Sequence, residues 1–399
     1  MEKLYLIVIL TAIFTINCSE RDSDTIILSN IPEDFDFELP IEFNLNEKFK
    51  DSRILIAQSK LDQDINFILQ KTPAIYSNKQ NNYSSSLPLD VIEGEYFVKA
   101  VRNDSNFHFE ENEKGKLTIF ENENSVLTYN FGMQLAEGVP ERYRRSSYIH
   151  PIFDLEGNEL TDDFPSDHYH HRGLSLMWPK VFIDSVRYDL WHIYGQQGDL
   201  KGIHQVFENW TYKNAGPICA ILGAKNYWQI EDGPIVMDEL IDLRVFRSFD
   251  IYRIIDIKIS LKSRTNISFE GQATKCYGGF NLRFAPRQET QITSKYGKED
   301  DSDLKNLPWA DLSAKYDGND YFSGATIMQS ENNPDFPTGW CLRHYGFLGV
   351  AWPGTTKYSM NAGESLTISY RVLIHQDNAE EAKIKEQYEI FNDPPEIKY

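Results

Sequence analysis

Histidines are concentrated in one short stretch of the chain. Nine occur in all, and three of them fall within four residues: His168, His170 and His171. Asp167 precedes this cluster and Arg172 follows it, while an apolar run occupies residues 174–178. Imidazole is the side chain best suited to proton transfer or metal ligation near neutral pH. The pattern therefore predicts a polar loop that delivers reactive side chains onto the start of a buried strand.

The direction in which these side chains point depends on the local backbone. If the segment is extended, His168 and His170 project to one face, whereas Tyr169 and His171 project to the other. The alternative is a set of hydrogen-bonded histidines that only stiffens a loop. Three histidines so close together favour a functional cluster over that alternative.

Three further stretches combine arginine, histidine and aromatic residues, at 141–151, 189–208 and 340–352. Together with the cluster they hold seven of the nine histidines. Aromatic rings can stack on sugars, and a guanidinium binds an anionic group with two hydrogen bonds. The alternative is that these residues only cover the faces of the sheets, with their apolar parts packed and their polar ends in water. The residues predicted to bind an acidic sugar are Arg144, His171, Arg172, Trp191, His192, Arg343, His344 and Tyr345.

A metal site is the competing interpretation of the histidines. His168 and His170 could supply two ligands from one strand face, and Glu208 could complete the site. His204 or Asp167 are other candidates for the third ligand. The sequence has no HExxH or comparable signature, so no cofactor is predicted and a divalent metal stays an alternative.

Period-two alternation of apolar residues runs through much of the chain and predicts an all-β fold. It is clearest at 35–45, 255–261 and 366–374, while polar residues 77–86 suggest an exposed loop. Long strands separated by turns indicate a large antiparallel β-sandwich, similar to a supersandwich. One C-terminal helix is expected after Asn378.

Two β-rich units are expected, with boundaries that follow the strand pattern. Residues 26–105 are predicted to form a small β-sandwich module, and residues 106–399 the main β-sandwich catalytic domain.

The N-terminus has the pattern of an export signal. Residues 1–17 carry an early lysine and a short apolar run, which predicts a signal peptide. Cys18 follows, so lipidation of Cys18 and a tether at 18–25 are expected, and the protein would sit at the cell surface or in the periplasm, anchored to the outer membrane. The residues before Cys18 depart from the usual lipobox, so ordinary signal cleavage is the alternative.

The charge of the chain limits which classes of molecule it can bind, and its cysteine content limits the number of disulfides. The formal net charge is −20, which leaves no excess of Lys and Arg for a nucleic-acid partner, although a local arginine cluster can still bind an acidic substrate. A membrane is expected to be contacted only through the lipid. Without Cys18 the remaining cysteines are Cys219, Cys276 and Cys341, which allow at most one disulfide.

Two motifs are similar to those of a known family. Residues 143–151, YRRSSYIHP, and residues 162–173, DDFPSDHYHHRG, resemble secreted bacterial proteins described as methane oxygenase PmoA-like. The resemblance covers roughly residues 110–375, and it departs from the family at Tyr169, where proline is usual. An oxygenase of that membrane type needs several spans of about 20 apolar residues, which this chain lacks. The resemblance instead implies polysaccharide use, with relatives connected to the algal polysaccharide ulvan.

The leading functional hypothesis is β-elimination on a uronic-acid-containing oligosaccharide by a dehydratase or lyase. His170, or else His168, would take the C5 proton, while Arg144 or Arg172 neutralises the carboxylate. Tyr148 or His204 would protonate the leaving oxygen. A glycoside hydrolase is the first alternative, and a non-catalytic surface glycan-binding lipoprotein is the second. The candidate carboxylates of a hydrolase are Asp163, Asp167, Asp189 and Glu208.

Overall fold

The computed structural model describes residues 24–32, 35–73, 81–102, 104–273, 275, 277–316 and 318–398. The expected signal peptide, Cys18 and Cys276 lie outside these residues. Strands account for 54% of the chain and helices for 4%, which confirms the all-β prediction.

The elements follow one another in chain order. The first ten strands are β1 (Thr25–Ser29), β2 (Leu39–Asn44), β3 (Ile54–Ser59), β4 (Asn66–Lys71), β5 (Asn82–Leu87), β6 (Gly94–Ala100), β7 (Phe107–Asn112), β8 (Lys116–Glu121), β9 (Asn124–Asn130) and β10 (Tyr148–Ile152). The next ten are β11 (Leu174–Met177), β12 (Lys180–Ile183), β13 (Val186–Tyr188), β14 (Ile203–Ala215), β15 (Cys219–Ile230), β16 (Ile235–Phe246), β17 (Tyr252–Ser263), β18 (Ile267–Glu270), β19 (Gly279–Arg283) and β20 (Arg287–Ser294). The last elements are β21 (Gly297–Lys298), β22 (Ser302–Asn306), β23 (Trp309–Tyr316), β24 (Ser323–Gln329), β25 (Gly339–Arg343), β26 (Phe347–Val350), β27 (Tyr358–Met360), β28 (Ser365–Gln376), helix α1 (Ile384–Asn392) and β29 (Glu396–Lys398).

Two nine-stranded antiparallel sheets form the sandwich. One has the order β22-β25-β26-β19-β11-β10-β9-β8-β7, and the other the order β14-β15-β16-β17-β28-β24-β23-β20-β21. Apolar residues of both sheets share one core, across which the rings of Phe280 and Tyr370 stack with centroids 4.1 Å apart. A four-stranded sheet, β13-β12-β18-β27, joins the same core through Val181 and Phe269.

The N-terminal strands form a third layer. Their sheet has the order β2-β5-β4-β3-β6-β1-β29, so its last strand comes from the C-terminal end of the chain. Its apolar residues pack with those of the β14–β21 sheet and of α1, including Leu55, Ile221, Leu373 and Ile384. The expected division of the chain near residue 105 stays a prediction.

The expected exposed loop at 77–86 is wrong for its second half, because β5 is a buried strand. Its polar side chains find partners inside the protein. The Tyr83 hydroxyl donates to the carbonyl oxygens of Phe49 and Ser52, both at 2.7 Å. Arg244 donates to Ser84 Oγ at 2.8 Å across the layer interface. Polarity alone could not distinguish such a strand from a loop.

The described part of the chain contains no helix that is long and apolar enough to cross a membrane. The loop that precedes β11, the loop that follows β13, the segment before β19 and the β25–β26 turn together line the cavity described below.

Candidate functional site

A cavity of about 480 Å³ lies where these four segments meet. It has the size and mixed polar and aromatic lining that are typical of small-molecule sites. Seven of the residues predicted from the sequence lie in its wall: His168, His170, His171, Trp191, His192, Arg343 and Tyr345. Three of the predicted segments therefore converge on one cavity, although they are far apart in the sequence.

The histidine loop is built from two successive turns and not from an extended strand. The backbone N–H of His168 donates to the carbonyl of Pro165 at 2.9 Å, and that of His171 to the carbonyl of His168 at 2.8 Å. The turn brings residues three apart together, so the rings of His168 and His171 stack at 4.6 Å. The predicted alternation was therefore wrong. All three histidines line the cavity, and Tyr169 packs near Tyr143 instead.

A column of stacked rings makes one side of the cavity. Phe347 lies 5.1 Å from His171, and Tyr345 lies 5.3 Å from His168, measured between ring centroids. The guanidinium of Arg283 lies 4.9 Å from the Tyr345 ring. Burial raises the pKa of Tyr345 to about 12, so its hydroxyl keeps its proton at neutral pH. Tyr345 thus offers the cavity a protonated hydroxyl.

His192 and His170 pack against each other in the wall of the cavity, with ring centroids 4.4 Å apart. Nδ1 of His192 lies 2.9 Å from Oδ2 of the buried Asp189. Oδ1 of Asp189 accepts the backbone N–H groups of Trp191 and His192 at 2.8 and 2.7 Å. Because the carboxylate holds Nδ1–H, Nε2 of His192 is the nitrogen left for the cavity. A carboxylate in this position also stabilises the ring when it accepts a proton.

His170 and His171 are held in the neutral form. Burial, followed by the nearby His192 and His168, lowers the pKa of His170 well below its ordinary value. Burial and then His170 do the same for His171. Neutral rings can accept hydrogen bonds from a substrate, whereas imidazolium rings cannot.

A second carboxylate lies next to His168. Oδ2 of Asp167 is 2.9 Å from Nδ1 of His168, and Nη2 of Arg283 donates to both Asp167 oxygens at 3.0 and 3.1 Å. Desolvation opposes ionisation of Asp167, but His168 and Arg283 outweigh it and lower its pKa. Asp167 therefore stays charged beside the histidine column.

Two cations lie in the lining, Arg343 and Lys275. Arg343 Nη1 donates to the carbonyls of Ser302 and Leu342, both at 2.8 Å, and Nη2 donates to Asp303. Most of its hydrogen-bonding capacity is therefore used within the protein. Lys275 is exposed and is available to an anionic ligand.

Two predicted residues lie beneath the histidine loop and do not line the cavity. Tyr148 is 1% exposed, and its hydroxyl donates to Asp163 Oδ2 at 2.7 Å. Arg172 is also 1% exposed, with Nε 3.4 Å from Asp163 Oδ1. Neither Tyr148 nor Arg172 can therefore donate a proton to a ligand in the cavity or bind its carboxylate.

Four other predicted residues point away from the cavity. Arg144 donates to Glu141 Oε2 at 3.0 Å on the surface, and His344 Nδ1 lies 2.7 Å from Asp301. His204 lies 3.4 Å from the Tyr194 hydroxyl. Glu208 accepts from Lys225 at 3.1 Å. Of these four, only His344 has sequence neighbours in the lining, namely Arg343 and Tyr345.

The predicted metal set of His168, His170 and Glu208 is not assembled, because Glu208 is on the distant strand β14. Over the described ranges, no group of three or more His, Cys, Asp or Glu side chains is arranged to hold a metal ion. Imidazole nitrogens suit Zn²⁺, so the donor chemistry of the histidines fits a metal while their arrangement does not.

Sequence reasoning missed several residues of the site. Asp189 was considered only as a hydrolase carboxylate, although its spacing of three residues from His192 is compatible with a turn that returns the ring to the carboxylate. The missed residues that line the cavity are Gln196, Gln272, Lys275, Tyr277, Asp303, Cys341 and Phe347. They come from four separate parts of the chain, at 196, 272–277, 303 and 341–347, and no local pattern specifies that these meet.

The sequence profile of a protein family of unknown function, DUF6807, matches residues 116–389. The chain belongs to this family. The DUF6807 match extends from the start of β8 into α1 and contains every residue that lines the cavity. No curated protein sequence matches the chain.

Three solved structures are similar to this DUF6807 chain in part. A protein described as a kojibiose phosphorylase from the human microbiome is 10% identical, with 88% of this chain and 35% of that chain covered and a TM-score of 0.28. An α-galactosidase from Geobacillus stearothermophilus in complex with raffinose is 8% identical, with 68% and 39% covered and a TM-score of 0.31. Galactose 1-epimerase from Lactobacillus acidophilus is 7% identical, with 82% and 100% covered and a TM-score of 0.26. The chain spans well under half of the first two, and likenesses at these scores carry no argument about its activity.

The partly buried His150 is expected to make the stability of the fold depend on pH. Burial, followed by Lys116 and Arg172, lowers its pKa from 6.5 to about 3. Between these values the unfolded chain binds a proton that the folded protein does not, so this contribution is present above pH 6.5 and is lost as the pH falls towards 3. His150→Gln should reduce the dependence of unfolding free energy on pH by about one proton in this window, as measured by urea denaturation. An unchanged dependence would contradict this assignment.

Proposed function

We propose that this chain is a carbohydrate-active enzyme that works by β-elimination, as a dehydratase or lyase, on uronic-acid-containing oligosaccharides such as those of ulvan. One observation carries the proposal. His192, held by the buried Asp189, lies beside the neutral His170 in the wall of a cavity of about 480 Å³. An imidazole held in a fixed orientation is the side chain that most often transfers protons to and from a substrate in an active site.

His192 is the better base of the two. The predicted base was His170, but burial and neighbouring rings oppose its protonation. The Asp189 carboxylate, 2.9 Å from Nδ1 of His192, fixes the tautomer whose Nε2 is free to accept a proton. We therefore assign proton abstraction to His192, while His170 accepts a hydrogen bond from a substrate hydroxyl.

The elimination step uses three groups of the cavity. His192 Nε2 takes the C5 proton, the C5–H electrons form the C4=C5 double bond, and the C4–O bond breaks. The leaving oxygen takes a proton from Tyr345, whose pKa of about 12 keeps it protonated beforehand. Lys275, and the part of Arg343 that is not bound to Asp303, stabilise the negative charge that develops on the C5 carboxylate.

Hydrolysis by two carboxylates has less support. Such a mechanism needs two carboxyl groups about 5–10 Å apart on either side of the bond. Among the described residues, Asp303 supplies the one carboxylate in the lining, and it is bound to Arg343. Asp189 is buried and bound to His192, and the half-buried Asp163 accepts a hydrogen bond from Tyr148. A non-catalytic glycan-binding role would not require an oriented imidazole–carboxylate pair.

The proposal places the enzyme outside the cytoplasm. The pattern of residues 1–25 supports export and attachment to the outer membrane through a lipid on Cys18, where acidic oligosaccharides from outside the cell would arrive. Acidic oligosaccharides are the proposed partners, without nucleic acid.

Product analysis tests the reaction class, and one variant tests the cavity. Wild-type protein incubated with ulvan oligosaccharides should give products with a new C=C bond, seen by mass spectrometry and NMR. His170→Ala should lower the rate about 10²-fold, because a group that positions the substrate for proton transfer is lost.

The matched control is His344→Ala, since that histidine also pairs with an aspartate but lies outside the cavity lining. Its rate should equal that of wild type. Equal rates for both alanine variants, or new reducing ends without a double bond, would overturn the proposal.

A further inference from the structure

Arg172 holds the backbone of the histidine loop from below. Its Nη1 donates to the carbonyl oxygens of Tyr169 at 2.7 Å and His171 at 2.6 Å, while Nη2 donates to the carbonyl of Tyr143. The guanidinium lies 3.5 Å from the centre of the Phe164 ring and is fully buried. One side chain thus fixes the loop that carries His170 to a segment 29 residues earlier.

Arg145 holds the second loop of the site in the same manner. Its side chain is 3% exposed, and Nη2 donates to the carbonyl oxygens of Leu190 and Trp191. These carbonyls belong to the turn that Asp189 organises and that presents His192 to the cavity. Arg145 lies only two residues after Tyr143 in the chain. Residues 143–145 are therefore hydrogen-bonded both to the histidine loop and to the loop that carries His192.

Each of the two arginines has an acidic neighbour, although burial and repulsion from Arg172 still lower the pKa of Arg145 to about 9. Asp163 lies 3.4 Å from Arg172, and Asp189 offsets the charge of Arg145. Burying two guanidiniums so close together costs free energy unless each is bound by hydrogen bonds and a counter-charge. Apolar side chains could fill the same space without that cost. What only the arginines provide is hydrogen bonds to the carbonyl oxygens of the two loops.

We propose that Arg145 and Arg172 are positioning residues that set the separation of His170 and His192, with residues 143–145 as the rigid link between the two loops. Neither arginine lines the cavity, so neither is a catalytic residue. A planar guanidinium can donate to two or three carbonyls in fixed directions, which an ammonium group cannot reproduce. The kinetic part of the test rests on the proposed function, whereas the spectroscopic part does not.

The test compares three conservative variants, Arg145→Lys, Arg172→Lys and Arg144→Lys. Arg144 lies between Tyr143 and Arg145 in the chain but pairs with Glu141 on the surface, so its variant is the matched control. Nitrogen-15 NMR of the histidine rings reports tautomer and titration directly. We expect the signals of His192 to shift in Arg145→Lys, those of His170 to shift in Arg172→Lys, and neither to shift in the control.

Kinetics gives a second measurement. If both arginines only position the histidines, kcat should fall about 100-fold in each lysine variant, with KM changed less than about 3-fold. Should a lysine variant fail to fold by circular dichroism, Asp163→Asn offers a milder change, because it removes the counter-charge of Arg172 and keeps its carbonyl partners. The His170 signals should shift there as well.

Histidine signals that stay unchanged in a folded lysine variant and in Asp163→Asn would overturn the positioning role. If wild-type protein performs no elimination, the proposed function fails, but the NMR comparison still decides whether the arginines set the histidine geometry.

Discussion

Asp189→Asn is expected to lower the elimination rate about 10³- to 10⁴-fold while the protein stays folded. The amide has the shape of the carboxylate and can still accept the backbone N–H groups of Trp191 and His192. It lacks the negative charge that favours a proton on His192, and its NH₂ group can reverse the ring tautomer. Steady-state rates on acidic oligosaccharides measure the loss, and circular dichroism verifies folding.

The chain offers a matched control for this substitution. Asp301 accepts from Nδ1 of His344 at 2.7 Å and from the His344 backbone N–H at 2.7 Å, but this pair lies outside the cavity lining. Asp301→Asn should therefore leave the rate unchanged. If both asparagine variants lose the same activity, or if neither loses any, the assignment of His192 as base is wrong.

Asp256→Ala is expected to lower the free energy of unfolding by about 3–5 kcal/mol. Asp256 is 4% exposed on β17 and accepts from Arg371 Nε at 2.7 Å and Nη2 at 3.0 Å. Arg244 Nη2 also lies near this carboxylate, 3.6 Å from Asp256 Oδ2. Removing Asp256 leaves buried guanidinium charge without its counter-charge between the two layers.

Asp238→Ala is the comparison, because Asp238 makes the same two-pronged contact with Arg264 on the surface. An exposed pair is worth about 0–1 kcal/mol, so this variant should unfold almost like wild type in urea. If both variants lost a similar amount of unfolding free energy, burial would not be the reason that the Asp256 pair stabilises the fold.

The fold could be predicted from the sequence because its strands are long and regularly patterned. The alternation at 255–261 lies inside β17, and that at 366–374 lies inside β28. Pro40 predicts an edge strand, and β2 is indeed the first strand of its sheet, where a missing N–H is tolerated. Strand β5 escaped notice because its serines and tyrosine are satisfied by partners from other layers, which no local pattern shows.

The site was predictable in its residue types but not in its geometry. The histidine motif identified the cavity wall, yet two turns replaced the expected strand and brought His171 to the same side as His168. Arg172 looked like a ligand for an anion, whereas contact with a carbonyl 29 residues away makes it part of the support. Sequence spacing cannot distinguish an arginine that faces a cavity from one that holds a loop beneath it.

Ultraviolet absorbance of the unsaturated-uronate product shows most directly whether His192 and Asp189 catalyse elimination. Wild type and Asp189→Asn would be assayed side by side on a panel of acidic algal oligosaccharides, with and without a chelator. Elimination by the His192–Asp189 pair should give a rise with wild type that is insensitive to chelator and almost absent with Asp189→Asn. A rise of equal size in both proteins, or no rise while the sugars still change in mass, would contradict elimination by the His192–Asp189 pair.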